Sequence, residues 1–450
     1  MATGSVPSIS TILLILIPLN LVILADGVDA EPTAAKTPAD SLPGEQGVAD
    51  EAKVASVGGW PGWLGKHRDA HCDWLPKSLP SKANTVWRQG LAGPGLGGVA
   101  ATTKYVVIGD RDLQDTADVY RCYSASDGEP IWSIARPTIG SFDYGNSPRT
   151  TPLINGNLVY VVGASGDLIC LELATGVEVW SKNFQIDFGV LDERPWGACG
   201  SPLLREGKLL VNPGGPDASI VALSPDSGEE LWRAPGGPAS YGSLTSGKLG
   251  GVKQVVGHDK ISLGGWHLRS GERLWTITPD VADDFNVPMP VVVGDRLLVS
   301  SENNGTRLYE FGKEGKINPT PVAANSDLAP DIGTPVVVGN QVFAVWNQAF
   351  CLDVTDGLVV KWTASDDAYA SYASILAHDD RLLVVSGSGE LILLDIGGPA
   401  YRVESRLRIL EDRDSELYSH PAIVGTRLYL RGEDELVCVD LEDTPANHVP

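Results

Sequence analysis

Residues 168–180 read LICLELATGVEVW, and this stretch decides the fold of the chain. Leu168 to Leu173 is apolar at nearly every position, which predicts a strand whose two faces are both covered. Thr175 and Gly176 predict a tight hairpin turn, because glycine accepts the positive φ that such turns demand. Val177 to Trp180 then predicts a second strand that ends on a large aromatic residue.

The same pattern recurs along the chain. It reads YRCYSASDGEPIW at 120–132, IVALSPDSGEELW at 220–232, LGGWHLRSGERLW at 263–275 and FCLDVTDGLVVKW at 350–362, and VCVDLED at 437–443 is its beginning alone. A unit this small cannot bury its own faces, so the copies must stack on one another. The aromatic residues that close the pattern are Trp87, Trp132, Trp180, Trp232, Trp275 and Trp362.

Each unit also has two earlier strands, the first beginning near a recurring proline such as Pro152 or Pro202. Four strands repeated about every 45 residues are typical of a propeller blade. Seven full units fall at 95–135, 147–184, 199–235, 241–278, 286–322, 331–364 and 371–410, and two of them, 286–322 and 371–410, lack the closing Trp. An eighth unit at 418–441 has three strands, and 85–88 (TVWR) can supply its fourth.

The sequence therefore predicts an all-β fold, an eight-bladed β-propeller of four-stranded antiparallel blades, closed into a ring by an N-terminal strand. A seven-bladed ring is the alternative. The domain prediction is a signal peptide at 1–30, a disordered linker at 31–56, an irregular Trp-rich segment packed on the body at 57–83, and the propeller at 84–450.

The apolar run at 12–25 is too short and interrupted for a comfortable membrane span, and it precedes a small-residue cleavage pattern at Val28 to Ala30. We expect an exported protein, periplasmic or secreted, with no transmembrane span after cleavage; an uncleaved anchor is the alternative. A formal charge of −23 argues against nucleic acid as a partner, because nucleic acid is a polyanion.

Four of the six cysteines, Cys122, Cys170, Cys351 and Cys438, fall at one position of the repeat. They are expected to be small buried apolar residues, because equivalent positions in different repeats are too far apart to be bridged. Cys72 and Cys199 lie off the pattern, and a disulfide between them stays open. No zinc-type Cys/His spacing is present in the sequence.

The LxCLDxxTGxxxW-like units resemble the pyrroloquinoline-quinone-type (PQQ-like) propeller repeat of the quinoprotein alcohol dehydrogenase-like superfamily. That resemblance implies that the tryptophans dock between neighbouring blades. The segments DYGNSPRTTP (143–152), NPGGPDAS (212–219) and DFNVPMP (284–290) look similar to exported planctomycete-type propellers and outer-membrane assembly scaffold propellers.

The resemblance implies two functions. The first is a non-catalytic scaffold in the cell envelope that binds a protein or envelope component and needs no cofactor. The alternative is a PQQ-dependent dehydrogenase that acts on alcohols or polyvinyl alcohol, with PQQ and calcium as cofactors. Such enzymes are expected to carry a vicinal Cys-Cys disulfide over the quinone, and this sequence has no Cys-Cys pair. We therefore expect the scaffold.

Loops from every blade meet at the mouth of a propeller, which makes the mouth the default binding site. The candidate residues there are Asp143, Asn146, Arg149, Asp187, Trp196, Asp284, Asn286, Asp367, Tyr372, Tyr418 and His420. If Asp143, Asp187, Asp284 and Asp367 converge on one opening, their field favours a cation or a basic protein segment. The alternative is that these acids are solvated turn residues. We expect His420 to fill a space near the axis.

A second acidic cluster contains Asp110, Asp112, Asp115 and Asp118. Oxygen ligands at short spacing suit calcium, but the cluster lacks the central glycine and the terminal glutamate of an EF-hand loop. A solvated loop between the second and third strands is the favoured interpretation.

Overall fold

Eight antiparallel sheets follow one another along the chain, and each is a meander in which consecutive strands pair. The computed structural model describes residues 59–138, 140–191, 194–282, 284–410 and 417–442. The predicted signal peptide and linker lie outside these residues. Five further acids of the loops between blades also lie outside them: Asp192, Glu193, Asp283, Asp412 and Asp414. The all-β, eight-bladed fold that the repeats predict is confirmed.

The chain begins with β1 (Gly59–Trp60) and β2 (Asn84–Gly90), which belong to the first and last blades. Blades 1 and 2 contain β3 (Ala100–Thr102), β4 (Tyr105–Arg111), β5 (Ala117–Ser124), β6 (Pro130–Pro137), β7 (Leu153–Asn155), β8 (Leu158–Val162), β9 (Asp167–Glu172) and β10 (Glu178–Asn183). Blades 3 and 4 contain β11 (Leu203–Arg205), β12 (Lys208–Val211), β13 (Ile220–Leu223), β14 (Glu230–Ala234), β15 (Thr245–Leu249), β16 (Val252–His258), β17 (Leu263–His267) and β18 (Arg273–Ile277).

Blades 5 and 6 contain β19 (Val291–Val293), β20 (Arg296–Ser301), β21 (Gly305–Glu310), β22 (Ala323–Asn325), β23 (Val336–Val338), β24 (Gln341–Val345), β25 (Ala349–Asp353) and β26 (Val359–Ala364). Blade 7 contains β27 (Ala373–His378), β28 (Arg381–Ser386), β29 (Glu390–Asp395) and β30 (Val403–Arg408); blade 8 contains β31 (Ala422–Val424), β32 (Arg427–Arg431), β33 (Glu435–Asp440) and β2. Helix α1 (Phe184–Phe188) and two 3-10 turns, Lys313–Gly315 and Asp367–Tyr369, lie between strands. None of the helices in the described part has the length and apolarity that a membrane span requires.

The tryptophan of an outer strand packs on the neighbouring blade. Trp132 Nε1 donates to Leu173 O at 2.8 Å and Trp180 Nε1 donates to Pro225 O at 2.9 Å, each in the last turn of the next blade. The glycine of that turn has a left-handed φ, and a Cβ on Gly176 would lie 2.8 Å from the Trp132 ring. The glycine of this turn therefore has two roles. It adopts the positive φ of the turn, and it leaves room for the indole ring.

A β-bulge precedes each of these tryptophans. The register with the third strand skips the residue before Trp132, Trp180, Trp232, Trp275, Trp362 and Trp87. A bulge adds a residue on one strand and re-aims the side chains beside it. In this fold it leaves the residue before the tryptophan outside, as at Leu231, while Trp232 itself is 9% exposed.

The two units without a closing Trp use other contacts. In blade 5, Asn325 Nδ2 donates to Leu358 O of blade 6 at 3.0 Å. In blade 7 the position after the bulge is Ser405, and its hydroxyl accepts the backbone N–H of Leu79 at 2.8 Å. Leu75 and Leu79 join the core between blades 7 and 8. A piece of the N-terminal segment thus fills the space that an indole occupies elsewhere.

The ring closes between blade 8 and blade 1. Strand β2 pairs antiparallel with β33 through Trp87 and Cys438, which confirms the predicted closure. Beside this joint, Arg431 and Asp110 form an ion pair of 3.2 Å between side chains that are both 0% exposed. Arg121 contacts the second oxygen of Asp110 at 2.7 Å.

The segment at 59–72, called here the axial plug, lies along the propeller axis. β1 pairs with the inner strand of blade 1, and Pro61 O accepts the N–H of Ile154 in blade 2. Arg68 donates to the carbonyl oxygens of Ser201 and Pro202 at the start of blade 3. Leu64 and Gly65, before Arg68, both have positive φ. After Arg68, His71 forms a parallel bridge with Ala377 in the inner strand of blade 7. The plug thus contacts blades 1, 2, 3 and 7 at or beside their inner strands.

Candidate functional site at the mouth of the propeller

Connections of an antiparallel meander alternate between the two ends of a sheet, so second-to-third turns and blade-to-blade loops share one face. That face is called here the mouth. It holds a cavity of about 570 Å³ at the axis. Every blade contributes to its lining, from Leu96 of blade 1 to Tyr418 of blade 8. The repeat architecture thus brings together residues that are more than 300 positions apart in sequence.

Six aromatic side chains form a continuous wall around the cavity, called here the aromatic collar. Their ring centroids lie 4.6–6.5 Å apart in the chain of contacts Tyr372, Tyr418, Tyr144, Trp196, Tyr241 and Phe285, with Phe285 also touching Trp196. Tyr144 is 61% exposed and Phe285 50% exposed. Large aromatic surfaces that stay accessible at a concave site are typical of ligand and protein recognition.

The tip of the axial plug forms the floor. Trp63 lines the cavity, and its ring packs edge-on against His420 at 5.3 Å. Trp60 stacks on the other side of the imidazole at 6.1 Å. Burial lowers the pKa of His420 to about 4, so this histidine is neutral at physiological pH. His420 is buried against the plug and is not among the residues that line the cavity.

Three charged residues line the cavity: Arg149, Glu302 and Asp331. Arg149 is 8% exposed and donates to the carbonyl oxygens of Asp143 and Gly145 at 2.7 Å, and also to that of Ser147. Its guanidinium therefore fixes the loop before blade 2. Glu302 and Asp331 leave the lining with an excess of negative charge.

Four of the predicted site residues line the cavity together: Arg149, Trp196, Tyr372 and Tyr418. Two others hold loops. Asn146 accepts the N–H of Phe142 and donates to Asp115 O at 2.8 Å. Asn286 is buried with a φ of 53° and donates to Asp284 O.

The four acids expected to converge do not line the cavity. Asp143 is exposed in the loop that Arg149 fixes. Asp187 lies in α1 and accepts the N–H of Asn183. Asp284 is 7% exposed; burial opposes its ionisation, but hydrogen bonds from residues 301–304 outweigh that effect and lower its pKa. Asp367 begins a 3-10 turn and is exposed. Each acid serves its own loop.

Most of the lining was absent from the predicted site, including Trp63, Tyr144, Phe285, Glu302 and Trp346. Tyr144 and Phe285 adjoin predicted acids in the same loops, so an aromatic residue beside a loop acid was the available signal. Glu302 and Trp346 lie in second-to-third turns, which the repeat also places at the mouth.

The acids of the blade 1 cluster have different partners in the structure and do not form one site. Asp110 pairs with Arg431 and Arg121, and Asp112 accepts the N–H groups of Thr116 and Ala117. Asp118 points to blade 2, where it accepts the N–H of Ala164. Within the described ranges, no three His, Cys, Asp or Glu side chains are grouped to hold a metal ion. All six cysteines are free thiols, including Cys72 and Cys199.

The eight antiparallel blades and their docked tryptophans place the protein in the class of PQQ-like propellers. A family model described as outer membrane protein assembly factor BamB matches residues 80–183 and 141–363. Because these matches span more than half of the chain, the protein belongs to this family of BamB-type, PQQ-like β-propellers. No curated protein matches the sequence.

Solved structures with the same fold belong to proteins of different kinds. Quinohemoprotein alcohol dehydrogenase from Comamonas testosteroni is 12% identical, with a TM-score of 0.63 over 89% of this chain and 85% of that one. BamB from Moraxella catarrhalis is 14% identical, with a TM-score of 0.53 over 79% and 98%. Sqt1 from Saccharomyces cerevisiae is 11% identical, with a TM-score of 0.56 over 80% and 100%. Identities this low show the fold alone.

Proposed function

We propose that the protein is an exported, non-catalytic propeller that binds a protein or envelope component through the mouth cavity and acts as a scaffold in the cell envelope. The observation that carries this proposal is the aromatic collar, to which six blades contribute around a cavity of about 570 Å³. The match to a family named for outer-membrane assembly supports an envelope role. The apolar N-terminal run supports export.

The rival function is a quinone-dependent dehydrogenase, and the lining residues do not fit its cofactor. PQQ is a tricarboxylate, so it requires cationic partners, whereas Glu302 and Asp331 make the lining negative. Arg149 already donates to three carbonyl oxygens. Among the described residues, no three Asp, Glu, His or Cys side chains are grouped as ligands for calcium.

Site-specific photocrosslinking in the native host tests the proposal. A photoreactive amino acid at Tyr144, on the mouth, is compared with one at Val177, in the turn before β10 at the opposite end of the blade; the two residues are 61% and 58% exposed. We expect a discrete adduct from position 144, weakened by Trp196→Ala, and none from position 177. The reverse pattern contradicts binding at the mouth. Dye-linked alcohol oxidation after addition of PQQ and calcium would instead establish the dehydrogenase.

A further inference from the structure

The cavity wall is mostly apolar. Eight aromatic residues and three aliphatic ones, Leu96, Val287 and Ile332, account for most of the lining. An occupant must therefore cover apolar surface, which is the main favourable contribution to binding in such a cavity.

The negative charge of the lining comes from blades 5 and 6. Glu302 lies in the turn between β20 and β21, and Asp331 lies in the loop before β23. Glu302 Oε1 accepts the N–H of Phe285 at 2.9 Å, while Oε2 has no hydrogen-bond partner among the residues described. Burial raises the pKa of Glu302, and the charges of Asp284 and Asp331 add to that effect. A cation placed here would relieve the repulsion between the carboxylates.

Exposed apolar side chains are also present on the mouth face outside the cavity. They lie on mouth loops of blades 1, 2, 4 and 5, and they are Leu113, Ile186, Leu191, Ile261 and Val281, with exposures of 48–87%. A small cation would leave this surface uncovered. A polypeptide segment can cover it and also enter the cavity, because exposed apolar surface around a concave site favours a protein partner.

We propose that the occupant of the mouth is an apolar segment of a partner protein that carries an arginine or lysine, whose cationic group binds at Glu302 and Asp331 against the aromatic wall. This inference rests on the proposed function and names its ligand. Aromatic faces attract cations, and the attraction is stronger where water is excluded. The two carboxylates supply the opposite charge, and the Leu96, Val287 and Ile332 side chains contact the apolar neighbours of the basic residue.

The test is a titration of the purified protein followed by tryptophan fluorescence, since Trp63, Trp196 and Trp346 line the cavity. The probe is an acetylated, amidated pentapeptide of sequence LFRFL, and its counterparts carry citrulline or glutamate in place of arginine. Citrulline keeps the shape of arginine without its charge. We expect the arginine peptide to bind at least about tenfold more tightly than the citrulline peptide.

Two variants test whether Glu302 is responsible for the preference for arginine. Glu302→Gln keeps an oxygen that can accept the Phe285 N–H, so its fold should persist, and it should remove most of the arginine preference. Asp187→Asn, an exposed acid on α1 outside the cavity, should leave that preference unchanged. Thermal melts of both variants are compared with the parent to exclude misfolding.

The outcomes separate the two proposals. Equal binding of the arginine and citrulline peptides overturns the inference and leaves mouth binding in place. A preference for arginine that Asp187→Asn weakens as much as Glu302→Gln also overturns it, because general charge would then be responsible. If no peptide binds, the inference fails, while photocrosslinking from position 144 still decides the proposed function.

Discussion

Asp118 is a carboxylic acid with no solvent exposure at the joint between blades 1 and 2. Its Oδ2 accepts the N–H of Ala164 at 3.0 Å, so it ties one blade to the next. Burial raises the pKa of Asp118 to about 7, although the Ala164 hydrogen bond and the Arg149 charge oppose the rise. Because an unfolded aspartate titrates near pH 4, only the folded state keeps this proton at pH 5–6.

Protonated Asp118 therefore makes its full contribution to the free energy of unfolding below about pH 4. This contribution is lost as the pH rises through 7. We expect Asp118→Asn, a neutral side chain of the same shape, to gain stability relative to the parent between pH 5 and 8, by at most roughly 4 kcal/mol. Urea unfolding at several pH values measures the difference. The control is Asp112→Asn, because the pKa of Asp112 is lowered by its hydrogen bonds with Thr116 and its effect lies at lower pH. Equal pH profiles of the two variants contradict this account of Asp118.

Among the structural elements, the outer strand with its bulge and tryptophan connects each blade to the next. Trp232 Nε1 donates to Leu268 O at 3.2 Å, and a Cβ on Gly271 would lie 2.4 Å from the ring. The residue before it, Leu231, is 49% exposed because of the bulge. Two adjacent residues of one strand thus have opposite environments.

Trp232→Ala should lower the free energy of unfolding by roughly 3–5 kcal/mol, the usual cost of emptying a large aromatic site. Leu231→Ala should change it by less than about 1 kcal/mol, because that side chain is half in solvent. Denaturant unfolding of both variants measures the contrast. Similar losses for the two would mean that the indole does not connect blades 3 and 4.

The closing joint offers a second contrast between elements. Arg431→Ala leaves Asp110 buried with Arg121 as its remaining cation, and we expect a loss of roughly 3 kcal/mol. Arg88 lies in the closing strand itself, and its ion pair with Glu435 is more exposed. Arg88→Ala should therefore cost no more than about 1 kcal/mol. Thermal and urea melts that rank Arg88→Ala as the more damaging change would contradict the closure described here.

At the scale of the whole molecule, the axial plug makes the N-terminal segment part of both the core and the site. Residues 59–72 contact blades 1, 2, 3 and 7 at or beside their inner strands, and Trp63 lines the cavity. The closing strand β2 follows the plug along the chain. The N-terminal segment thus contributes β1 to blade 1, Trp63 to the cavity and β2 to blade 8.

Two truncations separate these roles. Removing residues 1–58 retains every contact described here, so the melting temperature should not change. Removing residues 1–82 keeps β2 but removes the plug and Leu79, so we expect a lower melting temperature and weaker binding of the LFRFL peptide. An unchanged melt for the longer truncation would mean that the plug adds nothing to stability.

Much of this architecture could be predicted from the sequence, because strands, turns and tryptophans repeat with the blade. The eight sheets and the pairing of Trp87 with the Cys438 strand followed from that period. Only part of the candidate site could be predicted from the sequence. Loops between blades have no period, so the sequence could not show that Asp284 is enclosed by hydrogen bonds while Glu302 reaches the cavity. The path of the plug depends on contacts such as that of Arg68 with Ser201, which local patterns do not encode.

Hydrogen exchange of the intact protein, with and without saturating LFRFL peptide, tests whether the mouth is the binding site. We expect slower exchange in the mouth loops near residues 141–149, 194–201, 284–287 and 330–332. No change is expected in outer strands such as β14 (Glu230–Ala234). Protection confined to the outer strands, with the mouth loops unchanged, would contradict binding at the mouth.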